Sequence, residues 1–239
     1  ASFFCLYIYG MIRIGVVYNI VRDLCNKDQK GFVTPAVFNT LAEAAQMNVY
    51  NEMFNELKLA NRLRASGSDA GRDKSAYKMV EEDLSYFVKT SSLVNVDEGL
   101  TVGKPSDLSR IISMHLDDTN TSVEIIYDVE KIKRVLNSNL SAPTEEFPVA
   151  LVGSNTIDVF PEELGDDVVI TYYRYPVAPL YKVKEISDGF AIEDMTNSID
   201  FELPDHYLTE VVGEIARMIG VRLRDDVLMQ YGTAEITNK

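Results

Sequence analysis

The sequence predicts an α+β fold, and three observations predict it. Apolar residues recur at helical spacing near both ends, the middle holds short β-branched and aromatic runs, and five of the eight prolines punctuate those runs. Helices, then mixed strands, then helices again describe N-terminal helices (one of them long), a small antiparallel β unit and C-terminal helices that pack back. The 239 residues are expected to form a single α+β subunit. Residues 12–90 are its helical part, 91–200 its mainly β part and 201–239 its C-terminal helices. Residues 1–11 read as an N-terminal extension, with Met11 a natural start.

The first helix is expected near Ile12, from the stripe Ile12, Val16, Ile20 and Leu24 with Val17 and Val21 beside it. Arg13 interrupts the apolar leader well short of the ~20 residues that span a bilayer, so no membrane span is expected. Thr34 and Pro35 read as N-cap and first residue of a second helix with the stripe Phe38, Leu41, Ala45, Val49, Met53 and Leu57. If it continues to Arg64 it is a rod on the order of 45 Å, longer than a small core can cover. Ser66 to Ser75 is loop-like in composition, and Ala76 to Val88 reads as a third helix. VNVDEGLTV, SRIISMHL and VEIIY follow as strand and turn material, then DVEKIKRVL as a short helix capped by Asp128.

VALVG, NTIDVF and VVITYYRY are three further strands, with Pro143, Pro148, Pro161, Pro176 and Pro179 near their ends, where a missing N–H breaks no ladder. The last has no polar face. Val168, Ile170 and Tyr172 lie on one side; Val169, Thr171, Tyr173 and Tyr175 lie on the other. One side is expected in the subunit core and the other, Val169, Thr171, Tyr173 and Tyr175, against a neighbouring subunit. A short strand pair is expected around Tyr181–Lys184 and Phe190–Ile192. Pro204 opens a helix with Leu208, Val212, Ile215 and Ile219 on one face, Gly220 caps it, and Val221 begins a last helix.

The formal charge is −14, and residues 155–210 hold 13 Asp or Glu against three bases, Arg174, Lys182 and Lys184. A basic nucleic-acid footprint is absent. Cys5 and Cys25 are too few for a disulfide framework or a structural zinc site. The local motifs are degenerate. NKDQKGFVTPAVF places Asn26, Asp28 and Gly31 as a calcium loop would, but Lys30 and Val37 stand where two ligands belong. GLTVGKP has one residue too few for a phosphate loop, and Pro105 replaces its hydroxyl. His115 with Asp117 and Asp118 are strand neighbours that point apart rather than converge, and His206 lies in the first turn of the Pro204 helix, where Asp205 meets the helix dipole; both histidines read as surface residues. No enzyme, metal or cofactor is expected. The aromatic run TYYRYP lacks the basic groove of a single-strand binding platform.

The order of NKDQKGFVTPAVFNTL, DLSRIISM, VLNSNLSAPTEEFPVALVGSNTIDVFPEE, VVITYYRYPVAPLY and DFELPDHYLTEVVGEIARMIGVRLRD resembles the neck (head–tail connector, ring or adaptor) proteins of tailed bacteriophages, most of all crAss-like and related short-tailed phages. The resemblance spans Ile12 to Asp226. It implies a structural virion protein, assembled in the host cytoplasm and placed at the head–tail junction. Its partners would be further copies in a closed ring, commonly twelvefold, the portal protein and other neck or tail proteins, with packaged DNA passing through without specific binding. On that reading Asp158, Glu162, Glu163, Asp166, Asp167, Glu193 and Asp194 are candidates for an acidic channel wall. The alternatives are another virion component of the tail hub or baseplate, and a non-viral helix-pair regulator with a degenerate calcium loop.

Overall fold

The computed structural model describes residues 10–26, 33–65, 73–93, 101–117, 119–161, 168–185, 191–223, 230 and 233–234. Residues 27–32, six of the thirteen residues of the calcium-like motif, and 66–72, most of the Ser66–Ser75 segment, lie outside them, as do residues 224–229 of the expected last helix. The fold is α+β. It divides into two compact units: residues 1–83 with 176–239, and residues 84–175. The stretch 91–200, expected as one mainly β part, contributes to both.

In the first unit the chain enters as an extended segment. The Ile12 amide donates to Leu203 O at 3.1 Å, and the Phe201 amide donates to Ile12 O at 3.1 Å. This pairing sets how the first helix, α1 (Ile14–Asn26), is rotated. It buries Ile14, Val17, Tyr18, Val21 and Cys25 and leaves Val16 exposed. The stripe counted from Ile12 was therefore displaced: the helix starts two residues later, and its apolar face with it. Asp200 Oδ1 accepts from the Ile14 amide at 2.8 Å, a carboxylate on the positive end of the helix.

Pro35 opens α2 (Pro35–Ala65), and Thr34 Oγ1 accepts from the Val37 amide at 3.4 Å, as the N-cap reading requires. Its buried face holds Phe38, Ala42, Ala45, Gln46, Val49, Tyr50, Met53 and Phe54, whereas Leu41 and Leu57 are only half-buried. Beyond Phe54 the helix emerges, and Leu59 is exposed. A third helix, α3, runs Asp73–Ser85.

At the other end of the chain a single 3-10 turn, Asp205–Tyr207, follows Pro204 and leads into α5 (Leu208–Leu223). Val211, Val212, Ile215, Ala216 and Ile219 of α5 are buried, and α5 packs on α1 and α2. Gly220 does not cap the helix. It is buried inside α5, which continues through Val221 to Leu223. Tyr18, Phe38 and Tyr181 tie α1, α2 and the segment before the strand pair together. Tyr18 stacks on Tyr181 with centroids 4.1 Å apart, and Phe38 meets both edge-on. The small strand pair of this unit is antiparallel, 183–185 against 191–193, slightly later than expected.

The second unit is mostly β. Val88 does not end α3; it begins β1 (Val88–Leu93), a strand the sequence reading missed. The Phe87 amide bonds Leu84 O at 3.0 Å, which closes the helix end, and Phe87 is fully buried. The following strands are β2 (Thr101–Gly103), β3 (Leu108–Leu116) and β4 (Glu124–Ile126). After the helix α4 (Val129–Leu136) come β5 (Val149–Val152), β6 (Thr156–Phe160) and β7 (Val168–Arg174). The last pair, β8 (Val183–Glu185) and β9 (Ala191–Glu193), belongs to the first unit.

Two sheets result, β1-β7-β3 and β2-β6-β5-β4, and they share one core of Leu93, Val102, Met114, Leu116, Val123, Ala150, Ile157, Val159, Val168, Ile170 and Tyr172. Pairing is antiparallel except between β4 and β5, which run parallel. That departure from a wholly antiparallel unit follows from α4, a helical crossover of the kind parallel neighbours need. Asp128 caps α4 by accepting from the Glu130 amide at 2.8 Å, and Ile132 anchors it against Ile126 and Val149.

Candidate functional site

Strand β7 is the centre of the three-stranded sheet, and its two sides differ. Val168, Ile170 and Tyr172 are completely buried in the core. Tyr172 carries its hydroxyl to the core's margin, where it donates to Asp107 Oδ1 at 2.8 Å. Lys89 Nζ, from the neighbouring strand, donates to Asp107 Oδ2 at 2.7 Å. The hydrogen bond from Lys89 holds the Asp107 carboxyl below its ordinary range and raises Lys89 in turn. Burial, then the carboxylate, push the Tyr172 phenol up.

The opposite side of β7 carries Val169, Thr171 and Tyr173. Val169 is buried, and Thr171 and Tyr173 are half-buried. Tyr175 is not on this strand: β7 ends at Arg174, and Tyr175 follows it, 45% exposed, with its amide bonded to Asp107 O at 2.8 Å. The register adds what one strand cannot show. Val169 stands between Ser92 and His115, Thr171 between Thr90 and Ser113, and Tyr173 between Val88 and Arg110. Hydroxyl side chains thus interleave with the apolar ones, and Thr90 and Thr171 approach at 3.2 Å between their Oγ1 atoms. The face is amphipathic rather than apolar.

The candidate channel acids are placed only in part. Glu162, Glu163, Asp166 and Asp167 lie outside the described residues. Asp158 is half-buried on β6, and its Oδ1 accepts from Thr101 Oγ1 at 3.1 Å. Glu193 rests its carboxylate over Gly15 in the first turn of α1, where a Cβ would collide with it. Asp194 accepts from Asn197 Nδ2 at 2.6 Å and from the Thr196 amide at 3.1 Å, and these bonds hold its carboxyl below the ordinary range. Each of the three is therefore engaged locally, Asp158 and Asp194 by hydrogen bonds and Glu193 by packing over α1.

The remaining motifs resolve into structure. Thr101–Gly103 of the phosphate-like motif is strand β2, paired with β6, and the amide and Nζ of Lys104 donate to Asn155 O and Gly153 O. His206 does not pair with Asp205. Its Nε2 lies 3.0 Å from Oδ2 of Asp83 on α3, and Tyr207 donates its hydroxyl to that same oxygen at 3.2 Å. Burial, then the charge of Asp83, push the Tyr207 phenol above its usual value. His115 sits on β3 opposite Val169. Among the described residues no group of three His, Cys, Asp or Glu side chains is placed to hold a metal ion, and no helix is long and apolar enough to cross a membrane.

Two polar side chains on the buried face of α2 organise the first unit. Gln46, 1% exposed, donates to Val177 O at 2.8 Å and accepts from the Glu202 amide at 2.9 Å. Asn39 pairs with both backbone groups of Tyr181, at 2.8 and 3.1 Å. Neither was marked in the sequence: Thr40, Asn48, Glu52 and Lys58 also sit beside residues of the apolar stripe and are exposed, and only the fold brings backbone partners to Gln46 and Asn39. A cleft of about 410 Å³ between α2 and α5 is lined by Asn48, Asn51, Glu52, Glu210, Glu214 and Arg217, with Arg217 bonded to Glu214 at 2.7 Å.

No family model matches the chain, and no curated protein matches it.

Proposed function

We propose that this protein is a connector-ring subunit of a tailed-phage virion, joining portal to tail and continuing the DNA channel between them. The observation that carries the reading is α2, a helix of 31 residues whose stretch to Phe54 is buried in its own unit while Leu59 stands exposed further along. Helix that outruns its own core is available for lateral packing between copies. The half-buried Thr171 and Tyr173 on β7 suit the same purpose, whereas Val169, expected at a neighbouring subunit, is already buried within its own chain. A ring uses one surface against a different surface of the next copy, so both elements fit a heterologous contact that closes by rotation. The order of sequence segments is what points to the neck of a phage rather than to another virion position.

Negative-stain imaging of the purified full-length chain, alone and with portal protein, tests this. Closed rings of uniform diameter are expected, with Tyr173 and Tyr175 protected from solvent labelling once assembled. The absence of closed rings from both preparations, or labelling of both tyrosines unchanged by assembly, would overturn it.

A further inference from the structure

Strand β1 lies at the edge of its sheet, and the pairing shows which of its residues face outward. Phe87, just before it, accepts from the Arg174 amide at 2.9 Å, which makes 87 and 174 a hydrogen-bonded pair. Bonded and non-bonded pairs alternate along an antiparallel ladder. The register sets Val88 opposite Tyr173 and Leu93 opposite Val168. Lys89, Ser91 and Leu93 therefore turn their amides and carbonyls toward β7, whereas Val88, Thr90 and Ser92 turn theirs away. The close approach of Thr90 and Thr171, 3.2 Å between hydroxyls, fits a non-bonded pair, in which side chains stand nearer. Among the described residues no backbone group pairs with these outward groups, although Ser91 Oγ reaches Ser92 O at 3.3 Å.

Open edges in folded proteins are normally blunted by proline, a bulge or a charged side chain. β1 contains no proline, and its register to β7 is unbroken, while the shifts in this sheet lie on β3. Its one charged residue, Lys89, is drawn to Asp107 at 2.7 Å and so is not held as a free charge along the edge.

We infer that β1 is a homotypic docking edge, to which a second copy of this chain adds its own β1, antiparallel about a twofold axis at Thr90. Self-complementarity selects the partner and the axis. About Thr90, the strand meets itself with Thr90 facing Thr90 and Val88 facing Ser92 of the second copy, so every outward group meets an outward group. An axis between two residues would set outward groups against inward ones and leave them unpaired. An axis at Lys89 or at Ser91 would pair only two of the three outward residues within the strand, whereas the Thr90 axis pairs all three and brings two threonines together. Val88, Thr90 and Ser92 share a face with Val169, Thr171 and Tyr173, so the docked strand extends that face into a six-stranded sheet. This pairing goes beyond the ring: it is a property of the free subunit and stands whether or not connector rings form.

The test is the mass of the full-length chain by sedimentation from micromolar to hundreds of micromolar concentration, with Thr90→Pro beside the wild type. Proline is tolerated on an edge strand where the N–H faces solvent, so this variant keeps the monomer fold and loses the central pair of bonds. The wild type is expected to dimerise reversibly, and Thr90→Pro to weaken dimerisation at least about tenfold with an unchanged circular dichroism spectrum. A wild type monomeric throughout, or a folded Thr90→Pro that dimerises equally well, overturns the inference. Should Thr90→Pro fail to fold, hydrogen exchange of the wild type decides. Amides of Thr90 and Ser92 must become protected as concentration rises, while those of Ser91 and Leu93 are protected throughout; exchange independent of concentration overturns it. Dimers without rings would refute only the connector reading, and rings without dimers only this one.

Discussion

Asp107 shows how a single carboxylate joins packing to charge. It accepts from Lys89 and from Tyr172, so a strand at the sheet edge, a turn and the central strand meet on one side chain. Its carboxyl is held below the ordinary range, chiefly by Lys89, which fixes the sign of its effect. A depressed carboxyl favours the folded state when ionised. The contribution is complete above the unfolded value near ~4 and disappears as pH falls through the folded one. Asp107→Asn should therefore be less stable than wild type at neutral pH and equal to it in strong acid, by urea midpoints taken across that range. A gap that stays constant down to pH ~2 would remove the ionic explanation. The residue escaped the sequence reading because its partners are 18 and 65 positions away, beyond any local pattern. Gln46 and Asn39 were no more legible, since the exposed Thr40 and Asn48 occupy equivalent places beside the apolar stripe of α2.

Elements were read well where periodicity was long and badly where neighbours decided. The α2 cap, the Asp128 cap and the strands β5, β6 and β7 follow from residue types alone, because capping and alternation are local. The rotation of α1 does not, since a backbone pairing with residues 201–203 imposes it. Only the first residue of β1, Val88, was read as helix, and KTSSL was given no element because it has no apolar alternation; its strand state comes from pairing with β7. The outer face of β7 is a related case: one strand displays Val169 and Tyr173, but only the register reveals the hydroxyls between them. Helix α4 offers a direct test of element packing, because Ile132 is its one buried side chain. Ile132→Ala should cost about 2–4 kcal/mol and Ile132→Val about 1 kcal/mol. Val129→Ala, at an exposed position on the same helix, should stay within about 0.5 kcal/mol. Equal effects at 129 and 132 in thermal melts would mean that α4 is not docked through Ile132.

At the scale of the whole molecule the acid balance matters more than any site, since the net charge is −14 and residues 155–210 carry most of it. A wall of one sign repels a like-charged polymer and denies it the cations that would release its counterions. The placement of Asp158, Glu193 and Asp194 changes how that idea is tested. Asp158 accepts from Thr101, Glu193 covers Gly15 and Asp194 organises its turn, so reversing these charges would disturb folding together with the field. Amides of the same shape remove the charge and keep an acceptor. In assembled particles the combined variant Asp158→Asn, Glu193→Gln and Asp194→Asn should eject DNA more slowly than wild type at low salt. The two should converge as salt rises, because screening shortens the field to ~10 Å at 0.1 M and ~3 Å at 1 M. A variant that assembles normally and ejects at the wild-type rate across that salt range would show that these carboxylates serve their local contacts alone, leaving Glu162, Glu163, Asp166 and Asp167 to carry any electrostatic lining.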